Sequence, residues 1–207
     1  VDGILLVPAR DGQQSLRAAH TQGIPIVVLD RRLPLSEPGA DVVRCDSRGG
    51  AYELTRLLLG LGHKRITLLN GPEDVTTAAD RAAGFADALG AAVSRAGGEV
   101  LWGSFTQASG AEMARQALAR DPRPTALIAG NNFIAIGALN ALRELGLRVP
   151  VDIALAGFDD LPPALVTFPF LTVASQPAYA MGQTATRLLL DRLNGRQDNF
   201  SEVVLPV

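Results

Sequence analysis

Cysteine is almost missing from this sequence of 207 residues: Cys45 stands alone and cannot close an internal disulfide. A reducing compartment such as the cytoplasm is therefore expected. Histidine is nearly as scarce, with only His20 and His63, so a zinc site would lack ligands. Neither sign of charge dominates. The 19 Lys+Arg against 21 Asp+Glu give a net charge of -2, which leaves no basic footprint for gripping a phosphate backbone. No uninterrupted apolar run reaches bilayer-spanning length, and no charged-then-apolar leader opens the sequence as it stands. No membrane partner is expected.

Catalytic signatures are missing too. There is no GxxxxGK[ST] phosphate loop, no GxSxG elbow and no HExxH helix. His63, in Gly62-His63-Lys64-Arg65 ahead of a strand, reads as a structural residue of that junction. Asn199-Phe200-Ser201 fits the glycosylation tripeptide but carries no weight alone. These absences point away from an enzyme, and no cofactor or metal is expected.

What is present is a chain of 47% hydrophobic residues, enough to bury a core in one or two domains. Strand-length apolar runs recur at Gly3 to Val7, Ile24 to Leu29, Arg65 to Leu69, Ala126 to Ala129, Ile153 to Phe158 and Thr172 to Ala174. Most are continuously apolar, as parallel strands covered on both faces require. Between them run amphipathic stretches. Ala51, Leu54, Leu58 and Leu61 share a helix face, as do Ala135, Ala138, Leu139, Leu142 and Leu145, and Met181, Ala185, Leu188 and Leu189. Ser109 and Glu112 are spaced as a capping box. Gly62 and Gly146 fit the left-handed position after a helix, and Pro150 blocks resumption of the second. Strand and helix in alternation define an α/β protein. There is no internal sequence repeat and no low-complexity tract.

In open α/β sheets, ligands bind beyond the carboxyl ends of the strands. Those ends carry a small polar set: Asp30, Asn131 and Asn132, Asp159 and Asp160, and Gln176, with Arg81 near a helix start and Phe105 after Val100-Leu101-Trp102. Carboxylates and guanidinium groups make paired hydrogen bonds to adjacent hydroxyls, amides donate and accept, and an aromatic face covers a sugar ring or a base. Asp159, Asp160, Asn131 and Asn132 are equally suited to capping helices.

The order of short segments resembles the LacI/GalR (lactose-repressor) family. Leu61-Gly62-His63-Lys64-Arg65-Ile66 is similar to its LGHxxI element, and Arg81-Ala82-Ala83-Gly84-Phe85 to RxxGF. Pro124-Thr125-Ala126 with Ala129 to Ala138 resembles PTA…AxNDxxAxGA. Gly146-Leu147-Arg148-Val149-Pro150-Val151-Asp152-Ile153 resembles GLxVPxDI, followed by Gly157-Phe158-Asp159-Asp160 and by Gln176-Pro177…Met181-Gly182. The set spans nearly the whole chain in family order.

The resemblance implies a periplasmic-binding-protein-like type I fold, with two lobes of parallel sheets flanked by helices and hinged around a ligand cleft. One lobe would hold residues 1–45 plus about 176–200, the other 46–175 plus the final strand at about 201–207. It also implies that Arg81, Asn131, Asp159 and Gln176 contact a small effector, a sugar ahead of a purine, with Phe105 as aromatic partner and Asp30 as a weaker carry-over. Asn132 departs from the pattern, which has aspartate there. Family members carry a helix-turn-helix and two further βα units, the latter on the order of 60 residues, before the segment matching Val1. The first lobe is thus expected to be incomplete, and contact with operator DNA to come from a preceding domain. The implied mechanism is a homodimeric repressor whose lobes shift on effector binding. The alternative is a periplasmic sugar-binding protein serving a transporter.

Overall fold

The computed structural model describes residues 1–8, 13–32, 39–92, 97–161 and 171–207, with the backbone alone for 13–15. In chain order the elements are β1 (Ile4–Leu6), α1 (Gln13–Thr21), β2 (Ile26–Leu29), β3 (Asp41–Cys45), α2 (Ser47–Gly60), β4 (Arg65–Asn70), α3 (Thr76–Gly90) and β5 (Gly97–Trp102). They continue as α4 (Gln107–Leu118), β6 (Ala126–Ala129), α5 (Asn132–Glu144), β7 (Ala154–Phe158), β8 (Thr172–Ala174), α6 (Ala178–Leu193) and β9 (Glu202–Leu205). Two compact units result, Val1–Asp46 with Pro177–Val207, and Ser47–Gln176. No helix among the described residues is long and apolar enough to cross a membrane.

In the second unit every strand is parallel, in the order β5-β4-β6-β7-β8. Parallel strands need crossover helices, and helices on both faces explain why Ala126-Leu127-Ile128-Ala129 is buried at all four positions. Successive side chains alternate between faces. Leu127 and Ala129 join Met113, Ile134 and Leu142 from α4 and α5, while Ala126 and Ile128 join Leu54, Leu58 and Phe85 from α2 and α3. No gap separates α2 from α3 or α4 from α5. A Cβ on Gly84 would sit 2.0 Å from the Arg48 carbonyl oxygen, and one on Gly137 2.0 Å from that of Gln107.

The first unit is a four-stranded parallel sheet, β1-β2-β3-β9. One face packs Val27, Val43 and Cys45 on Met181, Ala185 and Leu188 of α6; the other packs Ile26 and Val28 on Leu16 and Ala19 of α1. The final strand differs from expectation: β9 pairs with β3, from Val42↔Glu202 to Cys45↔Leu205, and so belongs to the first unit. Backbone pairing decides this. Arg192 at the end of α6 places the returning chain beside β3, its guanidinium holding the fully buried Asp41 through Nε at 2.7 Å and Nη2 at 3.0 Å.

Three local readings also change. α4 starts earlier than the Ser109–Glu112 spacing implies: Thr106 is the N-cap and accepts from the Ser109 amide, while Ser109 Oγ accepts from the Ser104 amide. Leu61 and Leu145 lie past the ends of α2 and α5 and are exposed. Gly62 and Gly146 do take positive φ, +92° and +71°. At each, paired reverse hydrogen bonds close the helix end, as His63 N to Leu58 O and Gly62 N to Leu59 O show for the first.

Candidate functional site

Because all strands of the second unit run one way, their carboxyl ends and the residues that follow share one edge of the sheet. Asn70 ends β4 and is fully buried. Its Nδ2 donates to Ala78 O at 2.8 Å and its Oδ1 accepts from Gly71 N, which ties the strand end to α3. The next residue, Gly71, lies beneath Phe105: a Cβ there would fall 2.1 Å from Phe105 Cζ. The ring sits where only glycine leaves room.

Arg81 lies on α3 and is only 3% exposed. Its guanidinium stacks over Phe158 at 4.2 Å from the ring centroid and lies 6.0 Å from that of Phe105. Nη1 donates to Gly130 O at 2.5 Å. Such a cation between aromatic faces has its plane fixed, which orients the remaining N–H groups. Gly130 precedes Asn131, the N-cap of α5, whose Oδ1 accepts from Ile134 N at 2.8 Å. The capping role is thus the one Asn131 fills, leaving its Nδ2 for other partners.

Asp159 follows β7 with φ +65°, a left-handed conformation that costs a non-glycine residue on the order of 1 kcal/mol. Its amide donates to Ala174 O at 3.1 Å, and its Oδ1 accepts from Gln176 Nε2 at 2.7 Å. Asp160 is held as well: Oδ2 accepts from Ser175 Oγ at 2.7 Å and its carbonyl from Asn132 Nδ2 at 3.3 Å. Asn132 serves here as a donor, which the aspartate of the family pattern could not be.

Five of the six expected residues, Arg81, Phe105, Asn131, Asp159 and Gln176, therefore fall at the carboxyl edge of one sheet. Arg81 reaches Phe105 and the carbonyl beside Asn131, and Asp159 reaches Gln176. Asp30 belongs to the first unit, at the carboxyl end of β2 with φ +71°, its Oδ2 3.8 Å from Arg31 Nε. Asn70 and Phe158 were not singled out from sequence. Asn70 directly before Gly71-Pro72 at a strand end was the available signal; Phe158 stands in the sequence reading as the end of a strand and as part of Gly157-Phe158-Asp159-Asp160, with no contact role. His63 is where its junction role puts it, with Nδ1 3.1 Å from Thr125 Oγ1.

The edge offers a carboxylate, a fixed guanidinium, amides and an aromatic face, groups able to hydrogen-bond hydroxyls and to stack on a ring. Among the described residues no cluster of three or more His, Cys, Asp or Glu is placed to hold a metal. A doubly wound domain with such an edge is a small-molecule-binding class, and the family description "periplasmic binding protein-like domain" matches residues 55–207. The HTH-type transcriptional regulator CelR of Thermobifida fusca is 34% identical over 99% of this chain and 61% of its own length. The HTH-type transcriptional repressor PurR of Escherichia coli O1:K1 is 35% identical over 100% of this chain and again 61% of its own. A LacI family regulator from Enterococcus faecium, solved with bound ribose, superposes with a TM-score of 0.84 at 30% identity, covering 100% of this chain and 76% of that one. The chain belongs to the LacI family of transcriptional regulators. It spans 61% of the length of the curated relatives it matches.

Proposed function

We propose that this chain is the ligand-sensing core of a bacterial DNA-binding repressor, and that a sugar bound at the carboxyl edge of its second unit changes operator affinity. The observation that carries the reading is the Asp159–Gln176 pair, a carboxylate and an amide joined at 2.7 Å, on the same sheet edge as the Arg81 guanidinium stacked on Phe158. Adjacent ring hydroxyls suit such groups: the carboxylate accepts two, and the guanidinium donates in a fixed plane. Phe105 supplies the apolar face, and Asn131 offers Nδ2. The ribose bound by the Enterococcus regulator supports a sugar ahead of a purine.

Operator DNA is contacted by a helix-turn-helix domain in the whole protein, which works as a cytoplasmic homodimer and catalyses no reaction. The effector acts by differential affinity for two conformations, since equal affinity would shift nothing. A thermal-shift screen with ribose, other sugars, sugar phosphates and purines tests this. A ligand at about a hundred times its dissociation constant adds about 2.7 kcal/mol of stability. The expected result is a sugar hit that is lost in Asp159→Ala. A panel without hits, or a hit indifferent to that substitution, would overturn the assignment of the edge.

A further inference from the structure

The first unit contains a cavity of about 520 Å³ at the opposite, amino ends of its strands, before Ile26 of β2 and Asp41 of β3. It lies among the carboxyl ends of α1 and α6 and the connection from α6 to β9, and shares no residue with the site described above. Its size falls within the range of small-molecule pockets.

One wall is held rigid by Arg192. Besides the paired bonds to Asp41, its Nη1 donates to Asp198 O at 2.7 Å and Nη2 to Asn199 O at 3.2 Å. Asp41 Oδ1 in turn accepts from Ser201 N at 2.8 Å. The connection is thus fixed before any ligand arrives, which lowers the ordering cost of binding. Leu16, Ile24, Pro25, Ile26 and Ala40 give the lining its apolar part. Phe200 completes it, with the Arg192 guanidinium 4.7 Å from its ring centroid. A Cβ on Gly39 would sit 2.3 Å from Phe200 Cδ2, so the ring edge lies directly on the glycine backbone. Braced in this way, Phe200 is still 52% exposed. The charges cancel locally. Arg192 faces Asp41, and Arg196 Nε donates to Asp198 Oδ1 at 2.5 Å with Asp191 Oδ2 at 4.0 Å from Nη1. His20, Gln197 and Asn199 add an imidazole and amides to the lining.

We propose that this cavity is a second small-molecule site, which takes an uncharged planar aromatic or heteroaromatic ring stacked on Phe200. A braced, half-exposed phenyl ring favours an offset-stacked partner over water. The neutralised arginines give no net attraction for an anion, and the imidazole and amides of the lining suit ring nitrogens or a ring N–H.

The test is an NMR titration of this chain with indole, with cyclohexanol as a non-planar ring of similar bulk. The expected result is saturable shifts at His20, Gly39, Asn199 and Phe200 for indole and not for cyclohexanol. Affinity for indole should fall about ten-fold or more in Phe200→Ala and in Phe200→Leu, which keeps apolar bulk without a ring. Both changes sit at a half-exposed position, and the amide spectrum checks that each variant is folded. Asp159→Ala should leave the titration unchanged. Shifts that never saturate, that map elsewhere, or that persist in both Phe200 variants would overturn the proposal, as would equal binding of cyclohexanol.

Discussion

Two stretches of the molecule are built alike. In the first unit β1, α1 and β2 lead to Asp30 and then to β3; in the second, β6, α5 and β7 lead to Asp159 and then to β8. Leu29 pairs with Val43, and the next amide, Asp30 N, donates to Val43 O at 2.9 Å. Phe158 pairs with Ala174, and Asp159 N donates to Ala174 O at 3.1 Å. Both aspartates have positive φ, +71° and +65°.

What differs is how each copy is fastened. β6 and most of β7 are buried on both faces between helices, and six residues of α5 face the core. In the first unit the corresponding β1 is only partly covered, while β3 is locked by the Asp41–Arg192 pair to the end of α6. One backbone arrangement is held mainly by apolar packing in the second unit and leans on a buried polar fastening in the first. The aspartates differ in the same sense. Asp159 is bonded to the amide of Gln176, Asp30 is next to the guanidinium of Arg31.

If the first unit leans on its polar lock, Asp41→Ala should have the largest effect. Removing one partner of a buried pair costs about 3–5 kcal/mol, and here also strands Ser201 N; urea unfolding measures it. The matching cut in the second unit is Leu127→Ala, fully buried in β6, with an expected loss of about 2–5 kcal/mol. A loss under 1 kcal/mol in either case would break the contrast. Next comes Gly71→Ala, whose methyl must push Phe105 aside, at about 1–3 kcal/mol; Trp102, the single tryptophan, pairs with Asn70 in the strand register and should report the shift by fluorescence.

The smallest effect concerns acid. The Arg44 guanidinium, donating to Glu202, and then Arg32 hold the Glu202 carboxyl below the usual glutamate range. A depressed folded-state pKa contributes stability that is present above the ordinary value and lost as pH falls through the folded one. Glu202 is 44% exposed at its side chain, so Glu202→Gln should lower stability at neutral pH by no more than about 1 kcal/mol. It should also flatten that part of the acid profile. Unchanged acid dependence would show that Glu202 contributes nothing to stability through its ionisation.

The difference in fastening explains what could be read in the sequence. Continuous apolar runs announced β4, β6 and β7 because helices cover both of their faces. β3 was overlooked: Asp41-Val42-Val43-Arg44-Cys45 places a buried aspartate and an arginine inside a strand. Only the last half of β5, Val100-Leu101-Trp102, was legible, because the strand opens on two glycines with no side chains to show a pattern. Arg192 and Asp41 are 151 positions apart, and no local spacing joins them. The edge residues were legible since a parallel sheet puts its loops' polar groups in a predictable place. Asn70 was not, because it acts through buried bonds to backbone. The repeated strand–helix–strand–aspartate device left no internal sequence repeat, since its two copies are held by different chemistry.

If Asp159 occupies its strained position for the sake of its carboxylate, a residue that keeps the backbone and lacks the carboxylate should fold and lose the ligand. Replacing Asp159 with glycine separates backbone from side chain: glycine accepts the positive φ without strain but loses more entropy on folding. Thermal unfolding of Asp159→Gly, with and without the sugar found by the screen, is the direct measurement. The expected result is a ligand-free stability within about 1 kcal/mol of the parent and no ligand-induced shift. A variant that is still stabilised by the sugar as the parent is would contradict it.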